Sequence, residues 1–290
     1  IFTSKENEQF FRQNGYVVCD LLQQDAMDDI YNFYTAAFKT KREVFPFARA
    51  LPYYISIFDK DNIHKKEVDD IISRYVSKKT NELMIGYDVF YSNFMIKFSG
   101  DGQIEAHQDF NFVDESAHTA FNLWCPLVDT NAQNGGLFII PGSHNVFRTQ
   151  RGPNLPQSLT QYNQMLKRYG HLVPLRKGQA IIFDHKLIHY SSHNYTGTVR
   201  LAIQSVLKPS EKYACHYQFD KETNKVKAYR IDKNFIFEND LWEDNVSNLK
   251  LDHEEELIPF PDEKEIIQKL FQLKANYIHP LRQPKTNRSI

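Results

Sequence analysis

Three short segments in the middle of the chain alternate with period two, and in each the two faces differ in kind. In "NFMIKF", Phe94, Ile96 and Phe98 share one face and Asn93, Met95 and Lys97 the other. In "FNLWCPL", Phe121, Leu123, Cys125 and Leu127 oppose Asn122, Trp124 and Pro126, and in "RLAIQSVL", Leu201, Ile203 and Ser205 oppose Arg200, Ala202 and Gln204. One face is plain core. The other is polar yet carries few charges, so it suits the wall of an enclosed pocket better than contact with bulk water. A sheet covered on one side and cupping a cavity on the other is the fold this pattern asks for.

From about Asp88 to residue 220 the texture is uniformly of this kind, with short Phe, Ile, Val and Leu runs broken by Gly, Asn, Asp and Pro. Ahead of it, "SKENEQFFRQNGYVVCDLLQQDAMDDIYNFYTAAF" reads as a helix stopped at Gly15, a strand Tyr16–Cys19, and a second helix from Gln24. Behind it come an acidic stretch and an amphipathic helix near 262–277. We expect a single domain over 1–290: mostly helical support over 1–87, a strand-rich core over 88–220, and a C-terminal extension with a helix over 221–290.

The net charge is −1, with Lys and Arg dispersed, so neither nucleic acid nor an anionic membrane is an expected partner. A small molecule is. The three cysteines, Cys19, Cys125 and Cys215, are far apart and lack CxxC spacing, which fits a reducing, cytoplasmic compartment. No apolar run reaches the roughly 18 residues a membrane span needs. No signal peptide is visible, and a targeting segment removed ahead of Ile1 is left open.

The stretch "EAHQDFNF" (105–112) sets His107 and Asp109 two apart, so on a strand both project to the same side, as two adjacent ligands of one metal would. Downstream, "KGQAIIFDHKLIHYSSHNYTGTVRLAIQSVL" offers His185, His189 and His193 as a third ligand, and their spacing alone does not choose. The strand "QAIIF" ends near Asp184, which puts His185 at the rim, while His193 precedes a turn at Asn194–Gly197. Two His and a carboxylate are the donors of non-heme Fe(II) oxygenases and also suit catalytic zinc. Arg200, in the next strand, has a planar fork able to hold a carboxylate bidentately. His253-Glu254-Glu255 reads as a solvated surface run, His144 as a packed residue, and Gly135, Gly136 and Gly142 as turn glycines. Arg148 and Arg151 read either as solvated loop charges or as contacts for an anionic substrate group.

In order along the chain, "FFRQNGYVVCDLL", "HQD", "LWCPLVDTNAQNGGLFIIPGSH" and "KGQAIIFDHKLIHYSSHNYTGTVRLAI" resemble the phytanoyl-CoA dioxygenase family of Fe(II)/2-oxoglutarate-dependent oxygenases, over roughly residues 8 to 208. The most specific piece is "NGGLFIIPGSH" followed by a His with Asn five and Arg eleven residues on, which selects His189, Asn194 and Arg200. The resemblance implies a mainly β fold with flanking helices on a double-stranded β-helix (jelly-roll, cupin-like) core. It implies Fe(II) at His107, Asp109 and His189, the distal carboxylate of 2-oxoglutarate at Arg200, and further cofactor contacts at Trp124 and at the face bearing Asn93, Met95 and Lys97. It also implies a reaction that consumes O2, converts 2-oxoglutarate to succinate and CO2, and hydroxylates an unactivated C–H bond. Asp109 favours hydroxylation over halogenation, because chloride-transferring relatives carry a small residue there. Without the resemblance, Trp124 is a core ring and Lys97 a cation snorkelling to a rim.

Two other classes would use the same residues: a cupin-like module that binds metal or ligand without turnover, and a zinc hydrolase. Arg200 at its spacing weighs against the pure binder, which needs no co-substrate anchor. The substrate, free or carrier-tethered, is not legible, nor is the oligomeric state. The loops "FARALPYYISIF" and "RTQRGPNLPQSLTQYNQ" are expected to form the lid over it.

Overall fold

A computed structural model describes residues 1–38, 52–155, 159–242, 246–259 and 261–276. Helix α1 (Lys5–Asn14) starts where the Ser4 side chain accepts from the Asn7 N–H, and it stops at Gly15, whose φ of +83° is left-handed. A Cβ there would lie 2.4 Å from Nδ1 of His144, so the position needs glycine twice over. Next come β1 (Tyr16–Asp20), α2 (Gln24–Phe38), β2 (Tyr54–Ile55), α3 (Asn62–Leu83), β3 (Tyr87–Lys97), β4 (Ile104–His107), β5 (Phe121–Pro126) and β6 (Leu137–Ile139). Two short helices, α4 (Ser143–Val146) and α5 (Asn163–Lys167), precede β7 (His171–Val173), β8 (Gln179–Asp184), β9 (His189–Ser191) and β10 (Arg200–Pro209). The chain closes with β11 (Ala214–Asp220), β12 (Lys225–Ile231), α6 (Lys233–Glu238), β13 (Leu251–Glu256) and α7 (Glu263–Asn276).

The strands form a six-stranded sheet of order β1-β8-β5-β10-β3-β2, a four-stranded sheet β4-β9-β6-β7, and a three-stranded sheet β11-β12-β13. Every named pairing is antiparallel. Period two sorts the residues of the large sheet. Phe94, Ile96, Leu123, Cys125, Leu201 and Ile203 pack outward against Ile30 of α2 and Val68, Ile72 and Val76 of α3. The last three recur every fourth residue and are fully buried, a single stripe of the helix. On the inner face Trp124 and Ala202 meet Leu137 and Ile139 of the four-stranded sheet. Behind that smaller sheet Ile140, Phe147, Leu166 and Ile188 pack on Ile266 and Leu270 of α7.

One expectation is enlarged here. The C-terminal extension is not merely an acidic stretch and a helix: β12 and β13 join β11 in a sheet, and residue 220 falls at the tip of the β11–β12 hairpin. His253-Glu254-Glu255 lies within β13, where Glu254 pairs with Lys225 at 2.7 Å. Cross-strand pairing gave that charged run an edge-strand conformation that its hydropathy does not advertise. The first half of "FARALPYYISIF" lies outside the described residues. Among the described residues no helix is long and apolar enough to cross a membrane, and the three cysteines are buried and unpaired.

If the α3 stripe carries the outer core, Ile72→Ala should destabilise the fold by about 2–5 kcal/mol, the usual cost of truncating a buried Ile. Urea denaturation of the variant against the parent checks this.

Candidate metal centre and active site

The site is built across the two facing sheets. β4 and β9 pair so that His107 stands opposite His189 in register, and their rings lie 4.3 Å apart. Asp109, two residues beyond β4, completes the group: its Oδ1 is 3.9 Å from Nε2 of His107 and 3.7 Å from Nε2 of His189. One ligand atom from each of the three lies within 4.8 Å of the other two, and no further cluster of this kind occurs among the described residues.

Each donor is held in the form a metal needs. Nδ1 of His107 is 2.8 Å from the Glu105 carbonyl and Nδ1 of His189 is 2.9 Å from the Leu187 carbonyl. A carbonyl only accepts, so Nδ1 bears the proton in both rings and the Nε2 lone pairs are free. Nδ2 of Asn122 donates to Oδ2 of Asp109 at 2.8 Å and leaves Oδ1 open. Burial, and then the neighbouring His189, push the His107 pKa down to about 4. Burial raises the Asp109 pKa, but His189, His185, His107 and Asn122 together hold it below the usual carboxylate value. Both residues therefore keep their metal-binding protonation state at neutral pH.

Beside the triad is a recess walled by Tyr53, Met95, Trp124, Leu137, Arg200 and Gln204. Arg200 is 2% exposed, and its guanidinium carbon lies 5.3 Å from the Trp124 ring and 5.8 Å from the Tyr53 ring. One bond, from Nη1 to the Met95 carbonyl at 3.1 Å, fixes its direction, and Nε has no partner. Burial lowers its pKa to about 10, so it stays charged at neutral pH. The described residues give it no ion pair, and a ligand carboxylate would meet that need.

Of the residues named from sequence, the structure thus brings together His107, Asp109, His189, Arg200 and Trp124. Asn93 is not in the recess wall: its Nδ2 donates to Gln204 Oε1 at 3.0 Å, and Gln204 is the residue that faces the recess. Asn194 sits at a turn instead, donating to the Lys97 and Thr198 carbonyls. Lys97 is no rim cation. It is fully buried, donates to the Gly102 carbonyl at 2.8 Å and to the Ser191 hydroxyl at 3.0 Å, and burial followed by Arg200 lowers its pKa to about 6. Gly135 makes room for it, since a Cβ there would lie 2.7 Å from the Lys97 Cδ.

His185 is not at the rim either. It is 0% exposed, because its backbone N–H bonds to Ala120 and its carbonyl accepts from Asp109, which pulls the end of β8 inward. Arg151 is neither solvated nor free, since its guanidinium grips Glu115 through both Nη atoms and its Nε donates to the Asp109 carbonyl at 2.6 Å. His144 is packed against Phe11, as expected of it. Sequence reasoning gave Asn122, Gln204 and Tyr53 no role, although the first two stand on the mixed faces of their strands, a signal it had already isolated.

A family model for phytanoyl-CoA dioxygenase (PhyH) matches residues 11–202. The chain belongs to the phytanoyl-CoA dioxygenase family. Phytanoyl-CoA dioxygenase domain-containing protein 1 of Danio rerio is 25% identical over 203 residues, covering 67% of this chain and 66% of that one. Its Dictyostelium discoideum homolog is 26% identical over 180 residues, 57% of each chain. The chain therefore spans two thirds or less of these family members. Among solved structures, EctD from S. alaskensis with 2-oxoglutarate and 5-hydroxyectoine has a TM-score of 0.52 at 16% identity, covering 76% of this chain and 80% of that one. The α-ketoglutarate-dependent epimerase SnoN from nogalamycin biosynthesis has a TM-score of 0.51 at 18% identity, with 73% and 84% covered. Likeness at such identities is one of fold, and the jelly-roll expectation is borne out.

Two histidines, the partly exposed His107 and the buried His144, give the metal-free protein an acid limit. His107 and His144 both fall from 6.5 to about 4 on folding, chiefly through burial. Below pH 6.5 the unfolded chain takes up protons that the folded one refuses until about pH 4. The contribution of these two rings to stability should therefore fall as pH drops through that window, a trend that denaturation midpoints from pH 7.5 to 3.5 will test.

Proposed function

We propose that the chain is an Fe(II)/2-oxoglutarate-dependent dioxygenase that hydroxylates an unactivated C–H bond of a small-molecule or carrier-tethered substrate, with release of succinate and CO2. One juxtaposition carries this reading. Three convergent ligand atoms border the same recess as a buried guanidinium that forms no ion pair among the described residues. A zinc hydrolase would use the three ligands and a binding module the cavity, but neither gives Arg200 a task.

On this reading His107, Asp109 and His189 hold the iron, and Arg200 takes the distal carboxylate of 2-oxoglutarate against the Trp124 ring. Asn93 acts on the recess through Gln204. Bound iron and 2-oxoglutarate supply, with O2, the oxidising power that breaks a C–H bond. The chain's own residues do the rest. The Glu105 and Leu187 carbonyls fix the imidazole tautomers, Asn122 orients the Asp109 carboxylate, and Trp124 and Leu137 keep water from the guanidinium. A cleft of about 380 Å³, continuous with the triad and lined mostly by apolar and aromatic side chains, offers the substrate a place beside the metal. Buried reduced thiols suit a cytoplasmic setting.

Aerobic succinate formation from 2-oxoglutarate that needs ferrous iron and stops with a chelator would separate this reading from both rivals, and its absence would reject it. Arg200→Ala should weaken 2-oxoglutarate binding by about 2–5 kcal/mol while sparing metal binding, because a charged partner is lost from a buried pair. Calorimetric titration with Mn(II) and then 2-oxoglutarate measures both. His189→Ala should lower metal stoichiometry steeply, whereas His193→Ala, at a half-exposed residue stacked on Tyr195, should leave it at the parent value. Metal analysis of the two variants distinguishes them.

A further inference from the structure

Two buried acceptor atoms of residues lining the cleft have no partner among the described residues. His185 is wholly buried, and its Nδ1 lies 3.1 Å from the Phe110 carbonyl. That carbonyl can only accept, so Nδ1 carries the proton and Nε2 of the neutral ring is an acceptor. Nε2 has no hydrogen-bond partner, and the residue lines the cleft. Buried acceptors are rarely left bare, because desolvation without a replacement bond is costly. The backbone prevents the ring from escaping, since His185 is pinned on one side by Ala120 and on the other by the Asp109 N–H at 3.0 Å. Oδ1 of Asn122, in the same cleft, is a second buried acceptor without a partner.

The surroundings decide what kind of group could answer. Ile57, Phe58, Tyr91, Phe110, Phe112 and Trp242 make the walls apolar and aromatic, with the Phe112 ring 5.9 Å from the imidazole. Arg151 is the one Lys or Arg among the described lining residues; its charge is paired with Glu115, and four of its five N–H donors are taken by Glu115, the Asp109 carbonyl and the Thr149 carbonyl. An anionic group in the cleft would find no free cation. Unmet acceptors in an apolar box call for the opposite, a donor on an apolar body.

Resting on the reading that this cleft takes the substrate, we infer that the substrate is a mainly apolar group bearing an N–H or O–H, which it donates to Nε2 of His185. His185 is then a specificity-determining residue: it sets which atom of the substrate is turned toward the triad, and it binds no metal itself.

The test compares two probes with one apolar body, N-hexylacetamide and its N-methylated form, which lacks the N–H. Each is titrated calorimetrically into the full chain without metal, for the parent and for His185→Leu. The amide with its N–H should bind the parent about tenfold tighter than the methylated one, and the two should bind His185→Leu alike. Equal affinities in the parent, no binding by either probe, or a preference that survives in His185→Leu would each overturn the assignment. The parent comparison stands by itself if His185→Leu does not fold. None of these titrations uses iron, 2-oxoglutarate or turnover, so failure here leaves the oxygenase reading intact, and failure of succinate formation leaves the binding preference intact.

Discussion

A strand shows alternate residues to opposite sides, and here both sides of the large sheet are buried. That single constraint organises the molecule. One side can be filled with Ile, Leu and Phe and closed by α2 and α3. The other must hold polar groups out of water, so each of them has to be satisfied by the chain or left for a ligand. The inner face is accordingly a map of completed and uncompleted hydrogen bonds. Lys97 is completed by Gly102, Ser191 and Ser192, and in the loop that walls the adjoining cleft Arg151 is completed by Glu115 and two carbonyls. Arg200 and His185 are left with unpaired atoms.

The candidate metal centre follows the same logic at shorter range. Carbonyls two residues before each histidine, Glu105 for His107 and Leu187 for His189, fix the imidazole protons locally, so each ligand brings its own orientation with it. Asp109, beyond the end of β4, is set by other segments: Asn122 of β5 holds its carboxylate, while His185 and Arg151 bond to its backbone N–H and carbonyl. Two residues not expected to serve the site as a scaffold, one placed at a rim and one in solvent or against an anion, thus fasten the loop that carries the single carboxylate. They also form part of the cleft wall, which ties the shape of the cleft to the position of that carboxylate.

Much was legible without coordinates. Period-two alternation exposed which faces of β3, β5 and β10 would meet the cavity, because strand geometry is local and depends on neighbouring residues alone. For the same reason His-x-Asp announced two side chains on one side, and Gly15 announced the end of α1. The order of motifs named the family, and the family model agrees. Misreadings occurred where long-range contacts decide. The end of β8 looked like a rim, yet bonds from Ala120 and Asp109, 65 and 76 residues away in sequence, draw His185 into the interior. Lys97 looked able to snorkel, but Gly135 leaves a gap that the lysine stem fills. The charged 253–255 run lies at the surface as its composition says, but its strand pairing with β12 was not legible.

The sequence by itself determined the sheet faces, the candidate ligands and the family, since these rest on residue type and spacing of a few positions. Only the tertiary structure decided which buried polar atoms are paired and which are not. Pairing depends on where distant segments meet, as when Phe110 meets His185 or Met95 meets Arg200. An unpaired Nε on Arg200 and an unpaired Nε2 on His185 cannot be read from any local pattern, because being unpaired is a property of everything that surrounds the atom.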